Sequence, residues 1–121
     1  MADSEKPSIS LEGRRFGAVD NTGTGEVSDQ TIFHYHHKQD LIWATYAGGS
    51  IRFGTLTGLM LPDGSLDFRY NHVNMKNEMM TGQCRSTIEI LTDGRVRFHE
   101  RWQWTSGDKS SGTSIIEELR Y

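Results

Sequence analysis

Very short connections between strand-like runs constrain the fold of this chain more than any other feature. Runs rich in β-branched and aromatic residues are joined by pieces of only three or four residues: K-Q-D, G-G-S, P-D-G, M-K-N-E and T-D-G. Connections of this length join antiparallel neighbours, because a parallel pair needs a crossover of a dozen residues or more. The chain is therefore predicted to run up and down as an antiparallel meander.

Alternation within the runs predicts eight strands. These strands are Gly13–Val19, Thr31–Lys38, Leu41–Ala47, Ile51–Leu61, Ser65–Met75, Met79–Leu91, Arg95–Thr105 and Gly112–Leu119. A meander of this size closes most simply into a barrel, which leaves no exposed sheet edge. The predicted fold is an all-β, eight-stranded antiparallel up-and-down barrel of the calycin type, as in lipocalins, with a β-sandwich as the alternative.

Length and charge limit the domain organisation and the partners. The 121 residues are expected to form one β-barrel domain over residues 11–121, preceded by a disordered tail of residues 1–10. The net charge of −3, without a basic block, argues against nucleic acid as a partner. No apolar run approaches the roughly 20 residues that span a bilayer, and the first ten residues do not resemble a signal peptide. We therefore expect a cytoplasmic protein without membrane contact.

The longer connections all fall at one end of the predicted barrel. Alternate turns lie at opposite ends, so K-Q-D, P-D-G and T-D-G close one end tightly. The stretches Gly17–Gln30 and Ser106–Ser111 lie at the other end, the predicted mouth, together with G-G-S and M-K-N-E. Because Gly17–Gln30 is acidic, rich in glycine and long, it is the candidate lid over this mouth.

Period-two alternation assigns the inward faces of three strands. In F-H-E-R-W-Q-W, residues 98–104, the aromatic residues and one carboxylate share a face, and the opposite face is polar. The residues predicted to point inward are Val96, Phe98, Glu100, Trp102 and Trp104 on strand seven, Leu66, Phe68, Tyr70, His72 and Asn74 on strand five, and Met80, Gly82, Cys84, Ser86, Ile88 and Ile90 on strand six. All three faces change from apolar at the floor to polar at the mouth.

Strand four gives two contradictory predictions. A P-D-G turn that pairs Met60 with Leu66 directs one set of residues inward, namely Arg52, Gly54, Leu56 and Gly58, and leaves Ile51, Phe53, Leu59 and Leu61 outside. Such an apolar outer stripe would suggest a homo-oligomer. The apolar pattern alone predicts the reverse orientation. The facing of strands two, three and eight is likewise open.

The principal candidate site combines Glu100 with Tyr70, His72, Asn74, Trp102 and Trp104. An apolar cup with a few convergent polar groups is typical of a site that binds a small molecule. A carboxylate there could have a raised pKa and act as an acid or base, or it could bind a ligand amine. Our main hypothesis is therefore a barrel that binds a small organic ligand. The alternatives are an enzyme with Glu100 and His72 as catalytic acid and base, and a structural or interaction protein whose filled barrel pairs Glu100 with an inward Arg or His.

Two further constellations are weaker candidates. His34 and His36 have a spacing that can supply two metal ligands, with Glu100 or His72 as a third, although a surface strand explains the pattern equally well. Cys84 beside His72 could be a nucleophile, but a lone cysteine is more often a small core residue. The sequence therefore predicts neither a metal site nor a cofactor.

Two further motifs carry little functional signal. G-T-G-E-V-S, residues 23–28, lacks the Lys-Ser/Thr pair and the following helix of a phosphate-binding loop. Glu117 and Glu118 lie on opposite faces of strand eight, so one is expected in solvent and the other could join the pocket.

Several motifs together resemble a known group of proteins. They are E-G-R-R-F, L-I-W-A-T-Y-A-G-G, G-Q-C, L-T-D-G-R-V-R-F, E-R-W-Q-W and S-I-I-E-E-L, which extend over about Leu11 to Leu119. This pattern is similar to small bacterial proteins that carry the label N-acetylglutamate synthase. The chain departs from them at Lys38-Gln39-Asp40, where a glycine is common in the group. The resemblance implies acetyl transfer from acetyl-coenzyme A to glutamate.

Overall fold

The computed structural model describes residues 9–120 and confirms the closed barrel. Its strands are β1 (Arg15–Asn21), β2 (Ile32–Lys38), β3 (Leu41–Gly48), β4 (Ile51–Met60), β5 (Leu66–Asn74), β6 (Met79–Ile90), β7 (Val96–Trp104) and β8 (Ser111–Glu118). Each strand pairs antiparallel with its neighbour in the chain, and β1 also pairs with β8. The sandwich alternative is therefore wrong, and the predicted strand ends are correct to within two residues.

The structure describes the predicted N-terminal tail only from Ile9 onward. Residues 1–8 of that tail lie outside the described residues, so its disorder stays a prediction. Ile9 packs against the core, and Leu11 is fully buried. Within residues 9–120 there is no helix long and apolar enough to cross a membrane.

Two nearly identical turns fix the strand register at the tight end. Gly64 and Gly94 have φ values of +90° and +92°, which favour glycine because side chains with a Cβ are strained there. Asp63 and Asp93 each accept a hydrogen bond from the backbone N–H two residues later, at 2.9 and 3.1 Å. This local chemistry holds the pairs predicted from the sequence, Met60 with Leu66 and Ile90 with Val96.

The lower half of the barrel, toward these tight turns, is filled by side chains. Phe16 stacks on Phe98 with ring centroids 4.6 Å apart, and Tyr35 packs edge-on against Phe16 at 5.2 Å. Other fully buried residues complete this floor: Ile42, Leu66, Val96 and Ile116. Room for a ligand is consequently confined to the upper half.

A β-bulge resolves the contradiction on β4. The register between β4 and β5 shifts between Ile51 and Phe53, so these two residues do not share a face. Gly54 and Leu56 point inward and Phe53 is 55% exposed, as the turn geometry predicted. Ile51 is nevertheless buried and Arg52 exposed, so for these two residues the turn-based prediction was wrong and the apolar pattern was right, because the bulge reverses the face of the strand.

The facing of the remaining strands is now clear. Their buried side chains are Phe33 and Tyr35 on β2, Ile42, Ala44 and Tyr46 on β3, and Ser114 and Ile116 on β8. On β6 the predicted face is inward except at its last residue. Ile90 is 50% exposed because it lies at the end of the strand, past the packed floor.

Candidate functional site

A cavity of about 50 Å³ lies in the upper half of the barrel. Aromatic rings form most of its wall: Phe33, Tyr46, Phe68, Tyr70, Trp102 and Trp104. The polar groups that reach it are Asn21, Glu26, His72, Cys84, Glu100 and Ser114. A space of this size holds a few water molecules, whereas sites for small organic ligands are several times larger. A ligand of that class must therefore displace part of the wall.

All six residues of the predicted site have the inward orientation that alternation assigned to them. Five of them line the cavity: Tyr70, His72, Glu100, Trp102 and Trp104. Asn74 is buried beside it and serves the β5–β6 turn, where its Oδ1 accepts hydrogen bonds from the backbone N–H groups of Lys76 and Glu78 at 3.0 and 2.9 Å. The part that each side chain plays in binding stays a prediction.

Glu100 is a buried carboxyl group whose hydrogen-bond partners are hydroxyls. Ser114 Oγ donates to Oε1 at 2.8 Å, and Ser86 Oγ lies 3.5 Å from Oε2. Burial raises the pKa of Glu100 to about 7, against the lowering effect of these two serines. Among residues 9–120, no arginine, lysine or histidine forms an ion pair with it, so the suggested pairing with an inward Arg or His is wrong.

Two glycines allow the aromatic rings to lie flat against the sheet. A Cβ at Gly82 would come within 2.2 Å of the Tyr70 ring, and one at Gly112 within 2.4 Å of Trp102. Trp102 and Tyr70 each lie 5.8 Å from Trp104, measured between ring centroids. The glycines thus set how far each ring protrudes into the cavity.

The connection between β1 and β2, residues 22–31, forms the upper wall and is called the lid below. The predicted lid began at Gly17, but residues 17–21 belong to β1. Trp104 Nε1 donates to Thr24 Oγ1 in the lid at 3.1 Å, and Trp102 Nε1 donates to Asn21 Oδ1 just before it at 3.2 Å. Both indole N–H groups are therefore satisfied, that of Trp104 by the lid and that of Trp102 by the last residue of β1.

His72 connects the lid to the barrel wall. Its Nε2 lies 2.8 Å from Oε1 of Glu26 in the lid, and its Nδ1 lies 2.9 Å from the hydroxyl of Tyr46. Since an ionised carboxylate only accepts hydrogen bonds, Nε2 is the donor to Glu26. No hydrogen bond joins His72 to Glu100, although both line the cavity.

Sequence reasoning missed several residues of this site, among them Tyr46, Ser114 and Glu26. Tyr46 and Ser114 lie on strands whose facing was ambiguous from the sequence pattern. Glu26 lies in an irregular segment, where no periodicity indicates a direction. Its contact with His72 spans 46 residues of sequence and gave no local signal.

The structure does not assemble the candidate metal site. His34 and His36 point out of the barrel, and His36 Nδ1 lies 3.2 Å from Glu12 Oε2 at the surface. Glu100 and His72 point into it, so the sheet separates them from the two outer histidines. In the described part of the chain, no three His, Cys, Asp or Glu side chains are grouped closely enough to hold a metal ion.

Cys84, the candidate nucleophile, does not lie beside His72 as the sequence analysis suggested. Cys84 lies opposite Phe68 and has Ser86 Oγ at 3.7 Å, whereas His72 lies opposite Met80. Burial is the main cause that raises the pKa of the Cys84 thiol, and the charge of Glu100 raises it further. The raised pKa opposes formation of a nucleophilic thiolate.

Neither acidic residue of β8 reaches the pocket. Glu117 pairs with Arg97 on the outer face. Glu118 accepts a hydrogen bond from Arg14 at 2.7 Å, near the floor. The expectation that one of the two could join the pocket is therefore wrong.

Comparison with known proteins places this barrel in a family. No curated protein and no solved structure matches the chain. The resemblance to proteins labelled N-acetylglutamate synthase receives no support from these comparisons. One family profile, described as avidin-like protein, matches residues 9–119, which is nearly the whole chain and the whole barrel. The chain therefore belongs to the avidin-like protein family.

Proposed function

We propose that the barrel binds a small organic molecule, with a hydrogen-bond-donating or cationic group against Glu100 and an apolar body among the aromatic rings. The observation that carries this proposal is a buried carboxyl group that lines an aromatic cavity and, within residues 9–120, has only serine hydroxyls as hydrogen-bond partners. A buried polar group without sufficient partners is costly. A ligand with a suitable donor would supply the missing interaction.

The aromatic wall supports the same proposal. Trp102 and Trp104 lie one and two inward positions nearer the mouth than Glu100 on β7. Their rings offer flat apolar surface to a molecule that passes between them. Family membership agrees with a ligand of modest size, since avidin-like proteins bind small ligands such as biotin. Biotin is accordingly the first probe to test on this chain.

Acid–base catalysis by Glu100 and His72 receives less support. The two side chains have separate partners, and the Nε2 atom of His72 is already bound to Glu26.

A cytoplasmic location stays a prediction.

Titration of the purified protein, followed by tryptophan fluorescence and calorimetry, tests the binding proposal. Biotin and a set of small amines and amides are the ligands. We expect saturable quenching that Trp102→Ala abolishes and Glu100→Gln weakens. Arg101→Ala is the matched control, because Arg101 is exposed on the outer face of the same strand. Absence of binding across the whole set would favour the filled-barrel alternative.

We also infer that the chain associates with a second copy of itself through the outer face of β3 and β4. Four exposed apolar side chains lie on these two strands, namely Leu41, Trp43, Phe53 and Leu59, with exposures of 41%, 36%, 55% and 45%. Leu41 lies directly opposite Leu59 in the register and Trp43 lies two residues along β3, so these three form one patch across the two strands, with Phe53 nearer the other end of β4. Exposed apolar patches of this kind commonly mark association surfaces. Frequent oligomer formation in the avidin-like family supports the same inference.

A further inference from the structure

A carboxylate of the chain itself occupies the mouth end of the cavity. Glu26 Oε1 accepts a hydrogen bond from His72 Nε2 at 2.8 Å. Asn74 Nδ2 lies 3.3 Å from Oε1 and 3.1 Å from Oε2 of the same carboxylate. Both donors are on β5, whereas the acceptor is on the lid.

The two donors are held in place independently of Glu26. The hydroxyl of Tyr46 fixes the ring of His72 from its other nitrogen at 2.9 Å. The Oδ1 atom of Asn74 accepts two backbone N–H groups of the β5–β6 turn, at 3.0 and 2.9 Å. This donor pair, His72 Nε2 and Asn74 Nδ2, therefore keeps its geometry when the carboxylate leaves.

Glu26 is held less firmly than the donors that it contacts. Its side chain is 23% exposed, compared with 1% for His72. Residues 25–28 of the lid belong to no strand. In addition, Glu78 Oε1 lies 2.8 Å from Asn74 Nδ2, so two carboxylates approach one amide nitrogen. Two carboxylates that share one donor repel each other, which weakens the hold on Glu26.

We propose that the donor pair is the binding site for the carboxylate of an organic acid, and that Glu26 occupies this site while the ligand is absent. The acid would displace Glu26 and open the lid, which also provides the volume that the cavity of about 50 Å³ lacks. This inference rests on the proposed ligand-binding function and defines its ligand class. The ligand is a small organic acid with an apolar body and a hydrogen-bond donor at the end that reaches Glu100.

Acetate titration of the Glu26→Ala protein tests the anion site without knowledge of the natural ligand. The readout is the NMR resonance of His72 Nε2. We expect a saturable shift with acetate and none with acetamide, which has the same shape without the charge. Wild-type protein should need at least about tenfold more acetate, because the tethered carboxylate competes at a high effective concentration. Glu89→Ala removes an exposed carboxylate on the outer face of β6 and should behave like wild type.

Two further measurements keep the result decisive. If Glu26→Ala loses its β-rich circular dichroism, Glu26→Gln keeps the size of the side chain and replaces it in the titration. Biotin and its uncharged amide are then compared in wild type and in the Glu26 variant. The variant should bind the acid at least about tenfold more tightly than wild type does, and it should bind the acid more tightly than the amide.

The possible failures can be told apart. An acetate shift without any binding of biotin would keep the anion site and reject biotin-like molecules as the ligand class of the barrel. Equal binding of biotin and its amide, together with no acetate shift, would keep the binding barrel and overturn the anion site. In that second case Glu26 would only fasten the lid.

Discussion

Replacing Glu100 with glutamine should abolish the pH dependence that this residue gives to stability. In the folded protein burial raises the pKa of Glu100 from its ordinary value of 4.5 to about 7. The folded state therefore keeps a proton that the unfolded chain has already released between these two pH values. In this range the free energy of unfolding falls by about 1.4 kcal/mol per pH unit. The total loss is on the order of 3 kcal/mol.

The sign follows from a folded-state pKa that is higher than the unfolded one. The contribution of Glu100 to stability is fully present below about pH 4.5 and is lost as the pH rises through about 7. Glutamine does not titrate. The stability of Glu100→Gln relative to wild type should therefore increase between pH 4.5 and pH 8 by about 3 kcal/mol, and urea denaturation across this range measures it.

Two variants serve as controls. Glu89→Gln changes a carboxylate on the outer face of β6 whose pKa is lowered, principally by its hydrogen bond with His99, so it should show no such increase. Ser114→Ala removes the hydrogen bond that most lowers the pKa of Glu100, so the loss of stability should extend to higher pH. Parallel pH profiles for wild type and Glu100→Gln would refute the reasoning, because Glu100 would then be ionised without cost.

Three other predictions follow from the barrel geometry. Trp102→Ala should abolish ligand-induced quenching of tryptophan fluorescence. Arg101→Ala should change the binding free energy by less than about 0.5 kcal/mol in calorimetry. Loss of binding in Arg101→Ala with retention in Trp102→Ala would contradict the inward facing of Trp102. Gly82→Ala should force the Tyr70 ring into the cavity, since the new Cβ would lie 2.2 Å from it, and should weaken binding at least about tenfold with the barrel still folded by circular dichroism. Trp43→Glu should dissociate the expected oligomer in sedimentation velocity, and an unchanged sedimentation coefficient would exclude this surface.

Local patterns in the sequence were enough to predict most of the fold. The repeated turns L-P-D-G and L-T-D-G demand a positive φ at their glycines, and this chemistry sets the register of the strands that they join. Period-two alternation then assigned the facing of Glu100, because its neighbours on β7 are clearly aromatic or clearly polar. Alternation counted from the P-D-G turn failed at Ile51 and Arg52, since a bulge inserts one residue and reverses the face.

The tertiary structure alone decided what Glu100 and His72 contact. Closure of β1 on β8 completes the barrel, and the lid then brings Glu26 to His72 across 46 residues of sequence. The pattern of a strand specifies which face a side chain lies on, but not which side chain from another strand or loop reaches it there. The sequence by itself therefore determined the barrel and the inward carboxyl group. The serine partners of Glu100, the small cavity and the carboxylate at its mouth depend on contacts between distant segments, which local periodicity does not encode.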